Sequence, residues 1–77
     1  MTASTPPPDA GRTLRLLRQQ AGVTQRQLAL KLDTTITTVA RWEHGVHTPK
    51  PATYRAALAY LRAASRRRRK QVDRAAG

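Results

Sequence analysis

Seventy-seven residues are enough for one domain with a modest core, and a chain this short buries a smaller share of its surface than a longer one, so marginal stability is expected. The 39% hydrophobic fraction is mostly Ala and Leu, with no Phe, one Trp and two Tyr, which suits short helices in close contact and argues against a β architecture. Fifteen Lys and Arg against four Asp and Glu leave a formal charge of +11, which points to a polyanionic partner, and the lack of cysteine excludes disulfides, thiolate catalysis and the usual structural zinc sites.

Residues 1–8, with three consecutive prolines among Thr, Ser and Ala, have nothing to bury and read as a disordered arm. Asp9 is placed to cap a first helix over about Ala10–Ala21, with Leu14, Leu17 and Ala21 inward and Arg12, Arg15 and Gln19 outward. Gly22 stands where a left-handed residue ends such a helix. Thr24 and Gln27 have the spacing of a capping box, and Val23 and Leu28 that of a hydrophobic staple, so a second short helix starts here with Leu28, Ala29 and Leu32 inward. It is expected to end at the turn formed by Asp33 and Thr34. Thr35 then caps a third helix whose inward pair is Val39 and Trp42, and Gly45 stops it.

The segment 46–50 contains Pro49 and reads as a loop, after which Pro51 fits the first position of a fourth helix, where its missing N–H costs nothing. Tyr54, Ala57, Leu58, Leu61 and Ala64 form one apolar stripe, and nothing between residues 52 and 73 breaks helical propensity. Arg66, Arg67, Arg68, Arg69 and Lys70 lie beyond the stripe and are expected to form a basic spur or a frayed, solvated tail. The expected organisation is an arm at 1–8, an all-α domain of four to five helices at 9–64, and a long basic helical extension or tail at 65–77.

Two short helices joined by a tight turn, the second with a polar outward face, are what a groove-reading unit requires. Taken together, Leu14, Arg18, Gly22, Thr24, Gln25, Leu28, Ala29, Leu32, Thr35, Val39, Trp42, Glu43, Gly45 and Pro49 resemble the signature of the Cro and phage-repressor (Xre) helix-turn-helix family, over about residues 12–61. The resemblance implies a compact five-helix, lambda-repressor-like domain that binds double-stranded DNA as a transcriptional regulator, commonly as a homodimer. It departs from that pattern in lacking the apolar fifth helix that usually supplies dimer contacts, and in carrying Asp33 where the turn has its first Gly. Asp tolerates left-handed backbone better than most residues.

Residue by residue, the resemblance places Ile36, Thr37, Thr38 and Arg41 at base-reading positions of the third helix. Arg41 has the chemistry to pair with guanine O6 and N7, a contact worth roughly 1 to 3 kcal/mol of discrimination, or to meet a phosphate. Ile36 can touch a thymine methyl, although its spacing to Val39 also permits burial at the turn. Thr24, Gln25, Thr35, His44 and Lys50 match backbone-contacting positions, Gln25 beside a helix N-terminus whose dipole favours an anion. The run at 66–70 would add affinity and salt dependence without sequence information. Arg18 and Glu43 match a structural ion pair between the first and third helices.

His44 and His47, with only Glu43 nearby, make a poor metal site. No metal, cofactor or small-molecule substrate is indicated, and the chain has no nucleophilic triad, Gly-rich phosphate loop or paired carboxylates for an enzyme. No apolar run approaches the roughly 18 residues of a membrane span, and no secretory leader is apparent. The expectation is a sequence-specific regulator, repressor or accessory, in a bacterial cytoplasm and nucleoid. Its alternatives are a protein-interaction module of the same fold, such as an antitoxin or adaptor using Tyr54 and Tyr60, and a non-specific nucleic-acid binder acting through the Arg-rich tail.

Overall fold

The computed structural model describes residues 8–76, with side chains to residue 70, so the expected arm lies outside the described residues except for Pro8. Four helices follow in order: α1 (Ala10–Ala21), α2 (Gln25–Lys31), α3 (Ile36–Glu43) and α4 (Pro51–Ala76), with no strand among the described residues.

The first three helices end in the same way. After α1, Gly22 adopts φ 69°, ψ 27°, with its N–H on the Gln19 carbonyl at 3.1 Å and that of Val23 on Arg18 at 3.0 Å. After α2, Asp33 takes φ 56°, and Asp33 and Thr34 donate to Leu30 and Ala29 at 3.3 and 2.9 Å. After α3, Gly45 takes φ 76°, and Gly45 and Val46 donate to Trp42 and Arg41 at 3.1 and 2.9 Å. Each is a Schellman closure, which needs one left-handed residue and returns two terminal carbonyls to bonded state. Asp33 fills that position without glycine.

The starts are just as local. Thr24 Oγ1 accepts the Gln27 N–H at 3.0 Å while Gln27 Oε1 accepts the Thr24 N–H at 2.8 Å, a complete capping box. Thr35 Oγ1 accepts the N–H of Thr38 at 3.1 Å to open α3. Asp9 departs from expectation: it precedes α1, but at φ −98°, ψ 23° it makes no side-chain cap bond. A capping side chain needs the extended backbone that Thr24 and Thr35 adopt, and Asp9 contributes only its carbonyl, to Thr13 at 3.0 Å.

Packing centres on α1, which lies against both α4 and α3, while α2 braces α3. Leu14, Leu28, Val39 and Leu61, one from each helix, are sealed at the centre, surrounded by Ala21, Val23, Ala29, Trp42 and Ala57, with Leu17, Leu32, Tyr54, Leu58, Tyr60 and Ala64 packed around them. The alanines keep the axes close. At Gly11 they are closer still, because a Cβ there would overlap the carbonyl oxygen of Trp42. A glycine inside α1 is therefore set by α3, not by α1's own conformation.

One polar network ties these elements together. Arg18 of α1 donates through Nε to Glu43 Oε2 at 2.7 Å and through Nη2 to Oε1 at 3.0 Å, while its Nη1 donates to the Val23 carbonyl at 3.1 Å. Gln25 Nε2, at the start of α2, donates to the same Glu43 Oε1 at 3.1 Å. The Glu43 side chain is 2% exposed and that of Arg18 15%, so the charges sit largely out of water and depend on each other. No buried side-chain nitrogen or oxygen among the described residues lacks a partner.

Two stability predictions follow from this packing. Gly11→Ala gains about 1 kcal/mol of helix propensity but forces a rigid backbone contact apart, so thermal unfolding should show a net loss of about 2 kcal/mol and a Tm fall of about 8 °C or more. Glu43→Gln should cost about 3 kcal/mol by leaving Arg18 uncompensated, and pairing Glu43→Leu with Arg18→Met should recover most of it in denaturant titration, because an apolar pair has no charge to desolvate.

Candidate nucleic-acid interface

With Val39 and Trp42 turned into the core, α3 presents its opposite side outward. Thr37 and Arg41, one turn apart, are exposed on it, and the Arg41 guanidinium has no hydrogen-bond partner among the described residues. Ile36 is 47% exposed, which resolves its placement in favour of the surface. It borders a shallow concavity with Gly22, Thr24, Gln25 and Arg26.

Thr35 and Thr38 are engaged with each other: their hydroxyls lie 2.9 Å apart in addition to the cap bond, and Thr38 is half-buried. Of the four residues assigned to base reading, Ile36, Thr37 and Arg41 are thus open, while the Thr38 hydroxyl serves the helix start. His44 ends α3 with its ring exposed and Nδ1 2.8 Å from the Ala40 carbonyl. Since a carbonyl only accepts, Nδ1 carries hydrogen there and Nε2 stays available. Lys50 is exposed beyond the loop, its carbonyl accepting the N–H of Tyr54 at 2.8 Å.

At the start of α2, Thr24 is exposed and Gln25 half-buried, its amide nitrogen committed to Glu43. Arg26 stands fully outward beside them and was not singled out from the sequence, although an arginine in the first turn after the cap was the available signal. The residues at 66–70 are all exposed, yet they are not equivalent as a spur or tail would make them. Arg68 Nη1 donates to the carbonyls of Gln20 and Gln19 at 3.3 and 3.4 Å, capping the C-terminus of α1, where a cation is favoured by the helix dipole. Tyr54 and Tyr60 pack partly against the core, and the Lys31 ammonium lies 5.7 Å from the Tyr60 ring centroid.

The surface therefore joins an apolar group, a hydroxyl and a guanidinium within about two turns of one short helix, bordered by further cations. No cluster of three or more His, Cys, Asp or Glu among the described residues could hold a metal ion, and no described helix is long and apolar enough to cross a membrane. No curated protein and no solved structure is similar enough to match the chain. A family model described as a helix-turn-helix domain matches residues 9–72, taking in α1, the α2–turn–α3 unit and most of α4. The chain belongs to this helix-turn-helix domain family, a membership that supports DNA as its partner.

Proposed function

We propose that the chain is a sequence-specific transcriptional regulator of the Cro and phage-repressor (Xre) type, a repressor or accessory regulator that reads the major groove of double-stranded DNA with α3. The observation that carries this reading is the exposed face of Ile36, Thr37 and Arg41, backed by a helix whose inward side is fixed in the core. A helix with its side chains is about 10 to 12 Å across and B-DNA's major groove is about 12 Å wide, so the eight-residue α3 fits as a single inserted rod.

In this arrangement Arg41 forks onto guanine O6 and N7, Ile36 packs on a thymine methyl, and Thr37 hydrogen-bonds a base edge. Thr38 contributes its methyl while its hydroxyl holds Thr35. Thr24, Gln25 and Thr35 set α2 and the start of α3 against phosphates, and His44 and Lys50 meet the backbone at the far end, so that positioning and reading are divided between groups. Within the run at 66–70, the cations that reach the phosphate backbone add salt-dependent affinity. The protein acts by occupancy of its site, not by catalysis, in the cytoplasm at the bacterial nucleoid, and two copies would meet half-sites about 34 to 36 Å apart.

Selection of bound duplexes from random DNA, followed by salt titration against a scrambled duplex, tests the reading. A preference of about a thousandfold or more is expected at physiological salt, and equal binding of both duplexes at every salt concentration would end it. Arg41→Ala should cost about 1 to 3 kcal/mol on the selected duplex and relax the preference at one base pair, measured by repeating the selection with the variant.

A further inference from the structure

The contact made by Arg68 has a rotational consequence for α4. Its guanidinium lies over Gly22 so closely that a Cβ there would come within 2.7 Å of Nη1, while the same nitrogen bonds the last carbonyls of α1. This fastens α4 four residues beyond Ala64, the last apolar side chain among its described ones that packs against the core. With rotation fixed at about 100° per residue, the neighbouring cations are sorted onto different flanks. Arg67 borders a concavity with Ala21, Gly22 and Ala64. Arg66 and Arg69 instead border the one formed with Leu17, Gln20 and Ser65.

Gly22 belongs to two concavities at once: the one that contains Arg67, and the one that runs through Thr24, Gln25 and Arg26 to Ile36. It is the common wall between the start of α3 and the α4 arginines, and among the described residues of α4 it is the flank of Ala64, Arg67 and Arg68 that reaches it. We propose that the DNA-contacting surface continues from Ile36 across the Gly22 turn onto α4, where Arg67, together with Arg26, grips the phosphate backbone flanking the bases that α3 reads. Arg68 is a positioning residue for Arg67, and Arg66 and Arg69 lie outside the contact. The inference rests on the proposed DNA reading and divides a charge run that composition treats as uniform.

The full chain, bound to its selected duplex over a series of salt concentrations, tests it through single alanine variants, each checked for an unchanged fold by circular dichroism. Arg67→Ala should lower the slope of log affinity against log salt by about 0.9, and affinity by about eightfold at 0.1 M salt, the signature of one lost phosphate contact. Arg66→Ala and Arg69→Ala should leave the slope unchanged. In an Arg68→Ala background, the effect of Arg67→Ala on the slope should largely vanish, a coupling that a purely stabilising role for Arg68 would not produce. Equal slope losses for Arg66, Arg67 and Arg69 would overturn the inference while leaving DNA recognition intact. Failure of the unmodified chain to prefer its selected duplex would remove the underlying reading, and the inference with it.

Discussion

The Glu43 carboxylate is the point on which the arrangement of the first three helices depends. It gathers donors from Arg18 of α1 and Gln25 of α2 while belonging to the last turn of α3, and Arg18 extends the same network to the carbonyl of Val23 in the first turn. Helices of seven and eight residues do not persist alone in water, so α2 and α3 take their positions from such tertiary contacts, not from propensity. Because the carboxylate is nearly sealed, a donor left out cannot be replaced by solvent. The network therefore specifies one relative placement of the elements more than it adds net stability.

The proposed reading surface inherits its order from that placement. Val39 and Trp42 anchor the inner side of α3, the Thr35 cap fixes its start, and Glu43 holds its last turn, which leaves Ile36, Thr37 and Arg41 as side chains free to meet another molecule. Gly11 lets the backbone of α1 approach that of Trp42, so α3 is supported by main chain as well as by side chains. Gln25 has a double position, exposed enough to border the concavity beside Ile36 yet bonded to Glu43, and it couples the start of α2 to the end of α3.

What could be read from the sequence was local. The capping box at Thr24 and Gln27, the cap at Thr35, the left-handed stops at Gly22 and Gly45 and the helix start at Pro51 each depend on residues within a few positions of one another, and each stands where expected. Asp9 misled because residue type alone does not report the extended backbone a cap needs. Arg18 and Glu43, 25 positions apart, were paired through the family resemblance, since no periodicity connects them. Gly11 carried no signal, because its constraint is the Trp42 carbonyl on another helix. The charge run at 66–70 looked uniform until the rotation of α4 turned Arg68 onto α1.

Whether α3 offers its outer face to paired bases, from a frame held by Arg18 and Glu43, is decided by an NMR titration of the isotope-labelled chain with its selected duplex. The largest perturbations are expected on the amides of α3 from Ile36 to Arg41, on the Arg41 side chain, and on Thr24, Gln25 and Arg26, with Leu16 on the outer side of α1 unchanged. Perturbations confined to the α4 arginines, with Ile36, Thr37 and Arg41 unaffected by bound DNA, would contradict it.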